Sequence, residues 1–355
     1  MPFYFSFFTT LFLILFIPSK SFCQSNNEVT ASAFGTYFTQ IDSLFLNVNE
    51  EVLLGSAISL FETSLGSWAW GEKQRVSYFN PEGGHVKTVE FAGRGPGEIV
   101  RGVDYYYNSA NNKISILDAS LLRIKLFDEH FSFVKEFSLD KNRNTKHTSN
   151  SWGHYFTLNE MMFFYDAPAV SEYDTSGVKV KEWGDIPGVA KVQRPNENGG
   201  GITSDHAGNV YYSYQGDYRV WKINFKKDSI VIFNDEPSYF REVDSQKLGK
   251  TRKAMELFYL GYEGTRVTNL FFLEPNIIIQ QMETGNPFAK PPQELSYYLE
   301  IWKTNGEKLA SGVEIPFPIA WTMGGRLAIP TQYPSKMIQK NGKIKAFNIF
   351  RFIKN

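Results

Sequence analysis

Residues 91–139 read FAGRGPGEIVRGVDYYYNSANNKISILDASLLRIKLFDEHFSFVKEFSL. A glycine-rich lead-in at 93–98 is followed by four short alternating runs, at 103–107, 113–117, 123–127 and 134–139. Alternation with period two, broken by Asn, Asp and Ser, is the pattern of half-buried strands joined by tight turns. The segment is therefore one four-stranded antiparallel sheet. A lone sheet of this size cannot bury a face, so it needs neighbours stacked on it.

The order GRGPGE at 93–98, ILD at 116–118 and RIKLFD at 123–128 resembles a blade of secreted six-bladed β-propellers of the NHL/TolB-like type, common in bacteria of the Bacteroides group. That resemblance is specific over this blade and is carried by spacing over 49–355. It implies a closed ring of six such sheets. Most members of the type have no assigned activity, and some are metal-dependent lyases or lactonases.

Outward from this stretch the pattern continues. A first blade is expected over 52–91, with strands near 58–62, 68–71, 75–79 and 86–91 and a turn at Asn80-Pro81-Glu82-Gly83-Gly84, where glycine supplies positive φ. A third is expected over 152–183, opening on a strand at 155–158 and continuing at 161–165, 169–173 and 178–183. The fourth, 200–234, shows hairpin breaks at 205–209, 215–217 and 226–228. Blade five spans 267–315, interrupted by GNPFAKPP at 285–292, whose three prolines forbid regular structure. Residues 317–352 make a sixth. Phe38 to Val48 alternates ahead of the first blade and is expected to add a strand to the last one. Between 241 and 261 the period changes: Leu248, Met255, Phe258 and Tyr262 fall at helical spacing, predicting an amphipathic helical insertion. The fold class is thus all-β, a single six-bladed β-propeller over 49–355 with a short helical insertion. The 31 Phe, 19 Tyr and 7 Trp fit it, because aromatic side chains suit a pleated, half-buried surface.

Residues 1–23 are different. Apolar residues run from Phe3 to Ile17, Pro18 breaks them, and Ser21-Phe22-Cys23 precedes Gln24. This is a signal-peptide pattern, too short for a membrane span, so export and cleavage before Gln24 are expected, followed by a polar lead over 24–33. Cys23, the only cysteine, is either the residue before the cut or the acylated residue of a lipoprotein. In the first case no thiol remains, and burial alone holds the fold. The expected location is the periplasm or cell surface, with no membrane span after cleavage.

Lys plus Arg and Asp plus Glu balance at 37 each, so no global field draws in a polyanion, and nucleic acid is not an expected partner. Chemistry-bearing motifs fail one by one. Gly93, Gly95 and Gly97 have Glu98 where a dinucleotide fingerprint needs glycine, and no βαβ unit surrounds them. Gly249-Lys250-Thr251 lacks the rest of a P-loop. Asp140, Asn142 and Asn144 begin like a calcium loop, but Thr145 and Ser151 stand where glycine and glutamate are required. His85, His130, His147, His154 and His206 show no zinc spacing, and no G-x-S-x-G elbow occurs. Lys336, Lys340, Lys343 and Lys345 around Asn341-Gly342 read as a solvated hairpin.

No catalytic, metal or cofactor residue is therefore assigned. The candidate ligand-binding residues are Arg94, Glu98 and Arg101 in the lead-in loop, whose arginines could fork onto a carboxylate, with Trp152 and His154 as a stacking face. For each a structural role competes: Glu98 pinning its own loop, and the aromatic pair packing between blades. The function expected is an exported binding or protein-interaction module, monomeric, with an envelope protein or glycan as partner. The alternative is a propeller-fold hydrolase or lyase with a metal or polar site in the central channel. A third reading makes Phe288 and the 248–262 helix docking surfaces of a structural subunit.

Overall fold

The structure is a computed structural model describing residues 34–48, 59–63, 65–70, 74–140, 143–160, 168–187, 200–225, 227–244, 246–247, 259–331 and 342–353. Its strands form six four-stranded antiparallel sheets. Blade one is Ser59–Thr63 (β2), Gly66–Trp70 (β3), Arg75–Phe79 (β4) and His85–Glu90 (β5). Blade two is Gly102–Asn108 (β6), Lys113–Asp118 (β7), Arg123–Asp128 (β8) and Phe133–Ser138 (β9). Arg143–Ser149 (β10), Tyr155–Glu160 (β11), Pro168–Tyr173 (β12) and Lys179–Asp185 (β13) make blade three. Gly201–Ser204 (β14), Val210–Ser213 (β15), Val220–Asn224 (β16) and Ser229–Phe233 (β17) make blade four. Blade five is Arg266–Leu273 (β18), Ile277–Thr284 (β19), Ser296–Lys303 (β20) and Lys308–Ile315 (β21). Blade six takes Trp321–Met323 (β22), Arg326–Pro330 (β23) and Gly342–Phe352 (β24), with Phe38–Val48 (β1) on its outer edge.

The first strand of each blade touches that of the next, from β2 through β6, β10, β14, β18 and β22 back to β2, which closes the ring. Cores lie between blades: Ile114, Ile116 and Phe127 of blade two pack with Trp68 and Val76 of blade one, and Tyr211 and Val220 of blade four with Ile278 and Trp302 of blade five. Central strands β7, β12 and β19 are buried along nearly their whole length, as a strand covered on both faces must be.

Five of the described hairpins share one turn. An Asn or Asp side chain accepts the N–H four residues on, as Asn80 does from Gly84 (2.7 Å), Asp174 from Val178 (2.9 Å) and Asp205 from Asn209 (2.8 Å). The fourth residue of each such turn takes positive φ, and Gly83, Gly177 and Gly208 supply it. The turn after β8 breaks the pattern: Phe131 sits there at φ 63°. Its ring is 5% exposed and packs on Trp68, Phe91 and Phe127, so interblade packing holds a residue that turn chemistry disfavours.

Blade three differs from its sequence reading. Its innermost strand is Arg143–Ser149, whereas the pattern pointed to a first strand at 155–158. RNTKHTS shows no apolar alternation because polar residues fall on both of its faces; Lys146, His147 and Ser149 line the channel. The expected strand at 161–165 lies outside the described residues. So does most of the helical insertion, since 248–258 are not described, although 246–247 and 259–261 are helical. The leader over 1–23 and the polar lead to residue 33 likewise lie outside.

Candidate functional site

All six innermost strands run the same way along the axis, so their C-terminal ends share one mouth of the channel. There they enclose a cavity of about 270 Å³. Blade one supplies Glu62; blade two Asp104 and Tyr106; blade three Lys146 and His147; blade four Ser204 and Asp205; blade five Glu274; and blade six Trp321.

Side chains tie neighbouring blades together around this cavity. Arg326 Nη2 donates to Glu62 Oε2 at 3.1 Å, joining blades six and one. Thr322 donates to the Phe272 carbonyl at 2.9 Å, joining six and five. His206 Nε2 pairs with Glu274 Oε1 at 2.8 Å between blades four and five. Ser204 Oγ donates to the Ser149 carbonyl at 2.7 Å, and the Tyr106 hydroxyl lies 3.1 Å from Ser204 Oγ, reaching from blade two across the front of blade three.

The densest contact lies between blades two and three. Asp104 Oδ2 accepts the His147 backbone N–H at 2.7 Å and stands 2.9 Å from its Nδ1, while Nε2 lies 2.8 Å from Ser115 Oγ. Lys146 Nζ is 3.6 Å from Asp104 Oδ1. Burial alone would raise the Asp104 carboxyl, but the Lys146 charge and the His147 hydrogen bonds outweigh it and hold the group below its ordinary value. At Glu62 the balance reverses: burial raises the carboxyl more than Arg326 lowers it.

Ser115, His147 and Asp104 imitate a nucleophile, base and orienting acid. The serine is 2% exposed and does not line the cavity, so no substrate carbonyl reaches its oxygen. The trio works as a strut between blades. Among the described residues no three His, Cys, Asp or Glu side chains are placed to hold a metal ion together. Trp321, 5% exposed, lines the cavity with an indole N–H that has no partner among the described residues.

The five residues singled out from sequence divide between the two ends of the channel. Arg94, Glu98 and Arg101 precede β6 and lie at its N-terminal end, away from the cavity. Glu98 Oε2 accepts the Gly95 N–H at 2.6 Å and curls beneath Gly93, where an added Cβ would lie 2.1 Å from that oxygen. Asp118, fully buried, accepts the N–H groups of Val100 (2.9 Å) and Arg101 (3.3 Å) and fastens the loop to the β7–β8 turn. Arg94 is exposed.

Trp152 and His154 sit in the β10–β11 turn at the cavity end. His154 Nδ1 pairs with Glu172 Oε1 at 2.8 Å, and the other oxygen of Glu172 accepts the Trp183 indole N–H at 2.8 Å. Trp152 rests edge-on against Phe225 of blade four, with ring centroids 6.1 Å apart.

A family model described as a 6-bladed beta-propeller, DUF5128, matches residues 23–259. No curated protein matches the chain in sequence. Among solved structures, a DUF4221-family member from Bacteroides vulgatus superposes with a TM-score of 0.60 at 11% identity, covering 90% of this chain and 98% of that one. A Bacteroides fragilis protein described as exported superposes with a TM-score of 0.61 at 12% identity, covering 90% and 96%. At these identities the likeness is one of fold.

Proposed function

The chain belongs to the DUF5128 family of six-bladed β-propellers, and from that premise we propose that it is an exported binding module of the cell envelope which holds a small polar ligand in the axial cavity. The observation that carries this reading is the convergence of all six blades on one cavity of about 270 Å³. Rigid scaffolds place ligands where loops and strand ends converge, with a few polar groups fixing orientation. Here those groups are already oriented by the ties between blades. The polar lining favours a ligand rich in hydroxyl or amino groups, and the volume suits something of about one or two sugar units in size.

Export is supported by the apolar leader ahead of Gln24, by the resemblance of blade two to secreted propellers, and by a structural neighbour described as exported. No helix among the described residues is long and apolar enough to cross a membrane.

A thermal-shift screen of residues 24–355 against neutral sugars, amines and divalent metals tests the reading. A ligand at a hundredfold excess over its Kd stabilises by about 2.7 kcal/mol. The exposed Ser109 lines the cavity, so Ser109→Trp plugs it without disturbing the core. The expected result is a shift in the wild type that Ser109→Trp abolishes. A shift unchanged by the plug would place the ligand elsewhere.

A further inference from the structure

A second concavity lies outside the axis, in the cleft between blades two and three. It is a groove of about 290 Å³ with Leu126, Val134 and Tyr155 as its apolar part and Lys113, Lys135 and Trp152 around them. We propose that this groove is a binding site for an acidic oligosaccharide, with Trp152 as the stacking face and the two lysines as partners of its carboxylates.

Trp152 is the first reason. It is 53% exposed, whereas Trp68, Trp183, Trp221, Trp302 and Trp321 are all at or below 7%. An indole left this open forgoes burial that its size makes valuable. Nor is it loose. Its backbone N–H donates to Asn150 Oδ1 at 3.1 Å, and Asn108 Nδ2 in turn holds the Asn150 carbonyl at 2.8 Å. The ring is backed by Gly208, where a Cβ would lie 2.6 Å from it, and by the edge of Phe225. The aromatic face is set before any ligand arrives, so little ordering is required on binding.

Charge is the second. Neither Lys113 nor Lys135 makes an ion pair among the described residues, and no Asp or Glu lines the groove. Lys135 donates to the Thr175 carbonyl across the cleft. Asp128, opposite Lys113 in the β7–β8 register, accepts the His130 and Ser132 N–H groups at 2.9 and 2.8 Å within its own turn. Two ammonium groups beside an aromatic face match a ring that presents apolar C–H groups on one side and a carboxylate at its edge, as a uronic acid does.

The third reason is continuity. Ser151 lines both the groove and the axial cavity, and the β6–β7 and β10–β11 turns border both. The cavity lining carries four carboxylates, Glu62, Asp104, Asp205 and Glu274, against Lys146 alone. A chain-like ligand crossing this rim would therefore keep its acidic units in the groove. The groove requires no ligand in the cavity, so the two sites can be tested apart.

Isothermal titration of residues 24–355 with oligogalacturonate, with a neutral maltooligosaccharide of equal length and with a single-stranded oligonucleotide decides the matter. Oligogalacturonate is expected to bind, with an affinity that falls as salt rises. Trp152→Ala should lower it about tenfold or more, and Trp152→Phe should retain most of it. Lys113→Gln combined with Lys135→Gln should weaken binding comparably and flatten the salt dependence. This pair of changes leaves the aromatic packing in place and serves if Trp152→Ala fails to fold. No heat from oligogalacturonate at millimolar concentration, equal binding of the neutral oligomer, tighter binding of the oligonucleotide, or indifference of the affinity to both sets of changes would each overturn the proposal.

Discussion

Phe38 lies opposite Phe352 in the register of the sixth blade, their ring centroids 5.5 Å apart. One is the first residue of β1 and the other the last of β24, so the two ends of the described chain close the ring by pairing with each other. Phe38 is 2% exposed and stacks on Phe34 at 4.7 Å. Phe38→Ala is expected to destabilise by about 3–5 kcal/mol, the usual loss for a buried phenylalanine. Ile41→Ala, on the 40% exposed face of the same strand, should change stability by less than about 0.5 kcal/mol. Urea unfolding of both variants checks the contrast.

Asp104 gives a pH signature. Its carboxyl titrates below the ordinary value of 3.8 in the folded protein, so its ionised form contributes stability above the unfolded value and loses it as pH falls through the folded one. Asp104→Asn should cost about 1–3 kcal/mol at pH 7, because the hydrogen bonds to His147 lose their charged acceptor and Lys146 is left without its carboxylate. The gap from wild type should narrow below about pH 4, as read by melting temperature against pH.

Glu62 should behave oppositely. Burial raises its carboxyl above 4.5, so the ionised form is disfavoured by folding once the pH exceeds the folded value. Glu62→Gln is expected to be at least as stable as wild type at pH 7, by less than about 1 kcal/mol, since the Arg326 it leaves is one-third exposed. Any advantage should disappear below about pH 4.5.

At the other end of the channel, Glu98 holds its loop and stands far from the cavity. Glu98→Ala should lower stability by about 1 kcal/mol through the lost Gly95 hydrogen bond. Gly93→Ala should cost more, because φ is 156° and the new Cβ meets the Glu98 carboxylate. Neither change should alter ligand affinity in the axial cavity, which titration of each variant would show.

Turn chemistry made the blades legible. Asn80 to Gly84, Asp174 to Val178 and Asp205 to Asn209 each announce a hairpin through a side-chain acceptor and a positive-φ glycine, both local in sequence. The site was not legible for the opposite reason. Asp104 and His147 are 43 residues apart and Tyr106 and Ser204 are 98 apart, so no spacing rule joins them. The strand that carries Lys146 and His147 escapes the pattern because both of its faces are polar, Lys146 and Thr148 on one and His147 and Ser149 on the other, so the alternation by which strands are recognised is absent. A polar segment of strand length at the place where each blade should begin was the available signal. Trp152 and His154 stand out in the sequence as aromatic residues in a turn, whereas Arg94, Glu98 and Arg101 stand out for charge in a loop that Glu98 fastens.

The most direct measurement is a crystal structure of residues 24–355 soaked with the compound that gives the largest thermal shift. Density in the axial cavity, within hydrogen-bonding distance of Glu62, Lys146 or Trp321, is the predicted result. A ligand bound at the Arg94 end of the channel, with the cavity empty, would contradict it.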